Sequence, residues 1–271
     1  MSTPPPPPQQ TPHPTTPRPH LHTWTRHLPA SSQSSPSITQ IPIFKDSCSV
    51  REQVFVYEQR AVPLIHHLDN DDARSVHFVI YAPPNPHSLL SDSDLETSQI
   101  PYIPVGTLRL LPYPDTLRPL PHTRIVAGSP TEEIPPSSTF FFQASPTYKI
   151  NPATTFHDGI EPYIRLGRLA VLKEYRGKGY ADILIQAALK WAGEHPRFSE
   201  EALREEEKGR VPEWKGLVCL YARDVAVRTW ERNGFVVDEG MGSWWEVGVR
   251  ILGMVQRVSV RGDGEEMELR E

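Results

Sequence analysis

The sequence has few cysteines and no long apolar run. Only Cys48 and Cys219 occur among its 271 residues, too few for a disulfide scaffold or a four-cysteine zinc site. We expect both to be buried apolar residues, with a nucleophilic thiol as the alternative. No apolar stretch approaches the roughly 20 residues that a membrane helix needs, and no signal-peptide core follows Met1. We therefore expect a soluble, cytoplasmic protein, with the nucleus as a second compartment.

Excess positive charge is also lacking. The formal net charge of −5 at pH 7 argues against a general nucleic-acid binder, because such proteins present a basic face to the phosphates. What is present is a hydrophobic fraction of 38%, with nine Phe and six Trp, which is enough for a packed core. The thirty prolines are clustered, and helices and central strands do not accept such clusters. Part of the chain therefore lies outside the core.

The proline clusters divide the chain into regions. Residues 1–37 are rich in Pro, Thr, Ser and Gln and contain the run Pro4–Pro8, which predicts a disordered tail with polyproline II character. This tail is either passive or a docking peptide for SH3-type or WW-type domains. We expect one folded domain over residues 38–258, followed by an acidic tail at 259–271. Loop insertions are predicted within the domain at about residues 83–104, 112–162 and 197–213.

The hydrophobic pattern predicts a mixed α/β domain. Alternation at Ile41, Ile43 and Phe44 favours a first strand, and a helix is expected from about Val50 to Arg60. Four further strands are predicted from apolar and β-branched residues, at Ser75–Tyr81, Val105–Leu111, Tyr163–Leu172 and Leu217–Tyr221. Shorter ones are expected near Phe140–Phe142, Phe235–Val237, Trp244–Val249 and Leu252–Val258. The remaining predicted helices are Gly179–Gly193, a solvated charged insertion at Arg197–Arg210, and Asp224–Arg232.

The most informative segment runs from Gly167 to Ala181. Its apolar first half predicts a strand, its second half a helix, and the turn between them reads Arg176-Gly-Lys-Gly179. Such a turn directs unpaired backbone N–H groups and the positive end of the helix dipole towards one point, where an anion binds. The glycines allow an anion to approach the backbone closely, and Arg176 and Lys178 add positive charge. The turn is therefore either a pyrophosphate site or a tight turn with surface cations.

This segment resembles a known family. Arg176-x-x-Gly179-x-Ala181 is similar to the Q/R-x-x-G-x-G/A signature of the GNAT acyltransferases. Other segments resemble further parts of that superfamily and its ElaA/YjcF-like branch, in this order along the chain: Val54–Pro63, the acidic loop before Ser75, Leu220–Ala226, Trp230–Phe235 and Gly248–Met254. The resemblance spans Ile38 to about Val258.

The resemblance implies a fold and a cofactor. It implies an α/β fold with a mainly antiparallel sheet that is splayed between the fourth and fifth strands, Tyr163–Leu172 and Leu217–Tyr221, with flanking helices. Acetyl-CoA would lie in the gap as co-substrate. Backbone groups of Leu169, Ala170 and Val171 would bind its pantetheine arm and polarise the thioester. The pyrophosphate would be held by Arg176, Gly177, Lys178, Gly179, Tyr180 and Ala181.

The implied activity is N-acetyl transfer to a primary amine by direct attack in a ternary complex. The acceptor is a small-molecule or a protein or peptide amine, and the enzyme a monomer or homodimer. A non-catalytic acyl-CoA-binding scaffold is the alternative, because Trp230 stands where many members carry a Tyr that acts as the acid.

Proton transfer needs a base for the amine and an acid for the thiolate. The resemblance makes Glu58 and His77 candidate bases and Tyr221 a candidate acid. Each has a structural alternative: Glu58 as a surface or capping residue, His77 as a hydrogen-bonded sheet histidine, and Tyr221 as a core residue.

An acidic stretch precedes the second predicted strand. It offers possible metal ligands at His66, His67, Asp69, Asp71 and Asp72. Their spacing matches neither an HExxH helix nor an EF-hand loop. We expect no metal there, but a solvated acidic loop at the cleft mouth that attracts a cationic amine.

Overall fold

The computed structural model describes residues 12–14, 28–33, 42–84, 102–113, 119–125, 147–246 and 248–260. Within these residues one sheet contains nine strands. They are β1 His13–Pro14, β2 Val76–Ala82, β3 Ile103–Leu111, β4 Arg124–Ile125, β5 Ile164–Val171, β6 Leu217–Arg223, β7 Val236–Val237, β8 Ser243–Glu246 and β9 Val249–Arg257. Their order is β1-β2-β3-β5-β6-β9-β8-β4, with β7 also on β9.

All strand pairs are antiparallel except β5–β6 and β4–β8. The predicted α/β fold with a mainly antiparallel sheet and flanking helices is therefore confirmed.

In the described part of the chain three α-helices flank the sheet: α1 Pro42–Arg51, α2 Tyr180–Glu194 and α3 Val227–Glu231. A π-helical stretch, Glu52–Glu58, extends α1. Short 3₁₀ segments lie at Ala30–Ser32, Leu64–His66, Asn70–Arg74, Lys173–Tyr175, Pro196–Ala202 and Asp224–Ala226.

Helix α2 packs closely on the sheet at Gly106 of β3. A Cβ atom there would come within 3.1 Å of the Leu184 side chain of α2 and within 3.0 Å of Ile80 of β2. The missing side chain thus sets the distance between helix and sheet. That distance also fixes where the N-terminus of α2 lies relative to β5.

The strand predicted at Ile41–Phe44 is wrong, because the chain from Pro42 is helical. Proline is tolerated in a first helical turn, where no intrahelical acceptor is needed. The buried positions Phe44, Ser47, Cys48 and Arg51 follow the spacing of one helix face. The short alternation at Ile41 and Ile43 concealed this period. The helix predicted from Val50 therefore begins earlier and continues to Glu58.

The charged insertion at Arg197–Arg210 is more packed than predicted. Its first part forms the 3₁₀ segment Pro196–Ala202, in which Phe198 and Ser199 are buried. The Glu207 carboxylate is buried as well and accepts a hydrogen bond from the Tyr148 backbone N–H at 2.6 Å. A run of glutamates predicts a solvated face, but one of them is used here to hold a preceding loop.

Two short pieces of the predicted N-terminal tail lie against the domain. β1 pairs with β2, and Ala30 is fully buried, with its N–H donating to both Glu52 carboxylate oxygens. The packed unit therefore includes residues before Ile38. The strand predicted at Phe140–Phe142 lies outside the described residues. Both cysteines are buried free thiols, and no helix in the described part of the chain is long and apolar enough to cross a membrane.

Candidate active site

The sheet opens between β5 and β6. These parallel strands pair only at Ile164–Val218, Arg165–Cys219 and Leu166–Leu220. Beyond Leu166 and Leu220 both strands continue, to Val171 and Arg223, without pairing to each other. The predicted splay between the fourth and fifth strands is thus confirmed. The facing edges of the two strands leave backbone polar groups available to a ligand in the gap.

A β-bulge turns β5 at the point where the strands separate. Across β3, Thr107 faces Ala170 while Arg109 faces Gly167, so β5 holds one extra residue there. Within the bulge Arg168 has a φ of 54°, the left-handed region that non-glycine residues rarely adopt. A bulge bends its strand and leaves one residue out of the ladder. Here it directs the backbone at Arg168 and Leu169 towards the gap.

The turn Arg176–Gly179, called the glycine loop below, joins the end of β5 to α2. Gly177 and Gly179 have φ values of 74° and 82°, and a Cβ on either would meet no atom within 4 Å. Gly179 caps α2 without a side-chain cap, so the first N–H groups of the helix point into open space. The loop is exposed and fits a pyrophosphate. Tyr180 and Ala181, also predicted here, begin α2.

Two arginines connect the C-terminal end of the π-helix to opposite sides of the gap. From the β5 side, Arg176 donates to both carboxylate oxygens of Glu58 at 2.7 Å, and its Nε donates to the Val171 carbonyl. From the β6 side, Arg223 donates to the side-chain oxygen of the adjacent Gln59 at 2.8 Å. The hydrogen bond from Arg176 lowers the pKa of Glu58 below its ordinary value. Residues 58–59 therefore lie across the open end of the cleft.

A cavity of about 430 Å³, called the cleft cavity below, occupies the gap. Of the predicted catalytic residues, Tyr221 lines it and Glu58 and His77 do not; of the predicted pantetheine contacts, Leu169 lines it and Ala170 and Val171 do not. The full lining consists of Phe55, Gln59, Arg60, Ala61, Val62, His67, Leu166, Gly167, Arg168, Leu169, Tyr221, Ala222, Arg223, Ala226, Trp230, Glu246, Val249 and Ile251.

Tyr221 lies among polar and aromatic groups on β6. The Arg165 guanidinium is 4.9 Å from the centre of its ring, and the Trp244 ring meets it edge-on at 4.9 Å. On β8, which is separated from β6 by β9, the half-buried Glu246 accepts a hydrogen bond from Trp244 Nε1 at 2.8 Å. The cleft cavity thus has a phenol and a carboxylate in its wall. Trp230 also lines it and offers no acidic proton.

His77 lies in a fully buried position beside a network of ion pairs. Its Nε2 donates to the Asp72 carbonyl at 2.9 Å, which fixes the proton on that nitrogen of a neutral ring. Burial lowers the pKa of His77 to about 4, although the Asp72 charge opposes the shift. At neutral pH the ring is an uncharged part of the interior.

The ion pairs beside His77 join the acidic stretch to three arginines. Asp72 binds Arg51 at 2.7 Å and Arg109 at 2.9 Å, and Asp69 binds Arg109 and Arg168 at 2.6 Å each. We call these five residues the buried network: Arg51, Asp72 and Arg109 are buried, whereas the Asp69 and Arg168 side chains at its edge are about one third exposed. Burial raises the pKa of Asp69 and of Asp72, but the arginine charges outweigh it and hold both pKa values below their ordinary range.

The acidic stretch was expected to present negative charge at the cleft mouth. Instead, Asp69 and Asp72 are neutralised within the buried network, and Asp71 pairs with Arg74 at 2.9 Å. The sequence shows the acidic residues side by side, whereas their partners Arg109 and Arg168 come from distant strands. Arg168 reaches Asp69 only because the bulge redirects β5.

Residues 147–212 match the acetyltransferase (GNAT) family. The matched segment spans less than half of the chain. It contains β5, the glycine loop and α2, so the match covers the structural elements that form one side of the cleft. The predictions of the GNAT family and of an acyltransferase are confirmed. Acyl transfer from acyl-CoA is the general chemistry that this family match supports.

Comparisons with solved structures find proteins of low sequence identity. A predicted N-acetyltransferase from Lactobacillus plantarum is 19% identical, covers 83% of this chain and 93% of its own, and has a TM-score of 0.43. ElaA from Escherichia coli is 16% identical over 85% of this chain and 96% of its own, with a TM-score of 0.40. A search of curated proteins finds no match.

Several cavity residues were not predicted from the sequence. Gln59 and Arg60 lie in the turn after the π-helix, and Glu246 ends β8. The only feature of the sequence that distinguishes Glu246 is its charge at the end of a strand with two tryptophans. Arg60 carries no such signal, since its φ of 50° is visible only in the structure.

Proposed function

We propose that this protein transfers an acetyl group from acetyl-CoA to a primary amine, with the amine attacking the thioester directly while both substrates are bound. The observation that carries the proposal is the separation of β5 and β6 beyond Leu166 and Leu220. A pantetheine arm is narrow and contains two amides, so it suits a gap between two strand edges whose backbone groups are unpaired. The glycine loop lies at the end of β5, where the pyrophosphate would follow.

Residues of this chain divide the binding of acetyl-CoA between them. The glycine loop and the first N–H groups of α2 would hold the pyrophosphate, with Arg176 adding charge. Arg176 donates to both carboxylate oxygens of Glu58. When phosphate binds, Arg176 would either leave this carboxylate or bind the phosphate and the carboxylate together. Backbone groups in the bulge at Arg168 and Leu169 face the cleft and would polarise the thioester carbonyl.

The alkylammonium nitrogen loses two protons and the sulfur gains one, so one proton is released to solvent. The first proton leaves before attack; the amine nitrogen then bonds to the thioester carbon, the carbon–sulfur bond breaks, and the nitrogen loses its second proton while the sulfur gains one. Because an alkylammonium has a pKa near about 10, a base must take its proton at neutral pH. Glu246, which lines the cavity, would take this proton directly or through water, and Tyr221, which also lines it, would protonate the sulfur.

Glu58 and His77 remain predicted bases with less structural support. Glu58 already accepts two hydrogen bonds from Arg176, which stabilise its charged form. His77 lies within the protein interior and does not line the cleft cavity. Both properties favour supporting roles over contact with an acceptor.

A non-catalytic acyl-CoA-binding protein is the second candidate. Trp230 favours it, because this side chain lines the cavity where many family members have a tyrosine. The proline-rich tail would then recruit a partner.

Thiol release from acetyl-CoA and from longer acyl-CoAs, measured over a panel of amines, separates the two. We expect acceptor-dependent release that falls at least about tenfold in Tyr221→Phe and in Glu246→Gln. The matched control is Tyr57→Phe at a half-exposed tyrosine on the π-helix, and it should leave the rate unchanged. Tight acetyl-CoA binding without turnover on any acceptor supports the second candidate. Absence of acetyl-CoA binding contradicts both.

A further inference from the structure

The charges in the cleft cavity do not match a simple cationic amine. Among the residues that the structure describes, three arginines line it, Arg60, Arg168 and Arg223, against one carboxylate, Glu246. Arg168 is neutralised by Asp69 at 2.6 Å. Within the described part of the chain, no carboxylate pairs with Arg60 or Arg223. An acceptor that carries only positive charge would therefore meet a wall of the same sign.

Arg223 has unused hydrogen-bonding capacity. One of its terminal nitrogens donates to the neutral Gln59 side chain, and its Nε is buried without a hydrogen-bond partner among the described residues. A buried guanidinium N–H without a partner is costly, and the planar group is suited to bind both oxygens of a carboxylate. The Gln59 contact orients the side chain without neutralising its charge.

Arg60, next to Gln59, has a left-handed backbone conformation with a φ of 50°. For a residue with a Cβ this conformation costs on the order of 1 kcal/mol, and such residues cluster at ligand sites. The side chain lines the cavity while its residue remains exposed. Arg60 and Arg223 thus supply charge from two different walls, the turn after the π-helix and the end of β6.

We propose that the acceptor is a small amine that also carries a carboxylate, and that Arg60 and Arg223 bind this carboxylate. The inference rests on the proposed function. Arg176 and Lys178 in the glycine loop already supply cations for the phosphates of acetyl-CoA. Glu246 then faces the ammonium end of the acceptor, so a zwitterionic amino acid has a partner for each of its charges.

The test compares amino acids with their amides as acceptors, using β-alanine against β-alaninamide and 4-aminobutyrate against 4-aminobutanamide. We expect kcat/KM for the acid to exceed that for the amide by on the order of tenfold or more, mainly through KM. Arg223→Gln and Arg60→Gln should each reduce this ratio, and the double variant should bring it close to one. Arg250→Gln, at an exposed arginine of β9 outside the cavity, should preserve it.

Two results would overturn the proposal while leaving acetyl transfer intact. One is equal turnover of acids and amides. The other is a loss of acetyl-CoA affinity in Arg223→Gln and Arg60→Gln without a change in the acid-to-amide ratio, which would assign both arginines to the cofactor.

A binding measurement covers the case in which no amine is turned over. With CoA at saturation, 4-aminobutyrate should raise the thermal unfolding temperature of the wild type more than that of the double variant. That result would support the carboxylate site although the proposed reaction fails. Equal shifts in both proteins would overturn the site as well.

Discussion

Two groups of arginines lie within the same domain and have opposite surroundings. Those of the buried network, Arg51, Arg109 and Arg168, each have an aspartate partner at 2.6–2.7 Å, and Arg168 keeps its partner although it also lines the cleft cavity. At the cleft, by contrast, Arg60 and Arg223 have no carboxylate partner in the described part of the chain. Arg176 has one, Glu58, but both groups are substantially exposed. The difference indicates that the first group stabilises the fold and the second binds ligands.

The largest effect is expected from breaking the buried network. Asp72→Asn leaves Arg51, which is fully buried, without its charged partner, and removes one of two partners of Arg109. Breaking one side of a buried ion pair costs about 3–5 kcal/mol. We expect a loss of this size in the free energy of unfolding, measured by urea denaturation.

The matched control is Asp71→Asn in the same 3₁₀ segment. Asp71 is partly exposed, and its partner Arg74 keeps a hydrogen bond to the Pro112 carbonyl, so loss of the Asp71 charge should cost clearly less than loss of the Asp72 charge. Equal destabilisation by the two substitutions would contradict the structural role of the network.

The pH dependence of stability tests the same region through His77. Its pKa is about 4 in the folded protein and about 6.5 when unfolded. The unfolded chain therefore binds the extra proton first, so stability is complete above pH 6.5 and is lost as pH falls towards 4. The loss is on the order of 3 kcal/mol. His77→Gln should flatten the stability profile between pH 4 and 6.5.

His66→Gln, at an exposed histidine of the same region, is the control and should leave the slope as it is. An unchanged slope in His77→Gln would mean that other groups carry the titration.

At the cleft, a double substitution in the glycine loop should affect binding of acetyl-CoA. Arg176→Glu with Gly179→Asp places two negative charges at the N-terminus of α2 and strains a residue whose φ is 82°. We expect the Kd for acetyl-CoA, measured by calorimetry, to rise by about 100-fold.

Lys190→Glu makes a comparable charge change on an exposed residue near the other end of α2. It should leave the Kd within about twofold. A double variant that still binds as tightly as this control would move the phosphate site elsewhere.

The smallest effect is expected from freeing Arg176. Glu58→Gln removes the carboxylate that competes with phosphate for this guanidinium. We expect the Kd for acetyl-CoA to fall by a few-fold and kcat to stay unchanged. Glu174→Gln, on the exposed turn before the glycine loop, should change neither. A fall in kcat of about 100-fold or more would instead identify Glu58 as the base.

Local patterns predicted much of the fold. The glycine loop and α2 followed from glycines that only a turn before a helix explains, and β2, β3, β5 and β6 from apolar runs. The first element was mistaken because two alternating isoleucines precede a helix whose period appears only at Phe44, Ser47, Cys48 and Arg51.

The chemistry of the site depends on contacts that no local pattern contains. Asp69 is paired by Arg168 from 99 positions away, and only because a bulge redirects β5. Glu58 and Arg176 are 118 positions apart. The sequence therefore indicated the position of the cofactor more clearly than the charge that its acceptor would meet.

The crystal structure of this protein with acetyl-CoA tests the central claim most directly. We predict the pyrophosphate on the backbone of the glycine loop, the pantetheine arm between β5 and β6, and the thioester beside Leu169 in the cleft cavity. Density for the thioester outside this cavity, or for the pyrophosphate away from Arg176–Gly179, would contradict it.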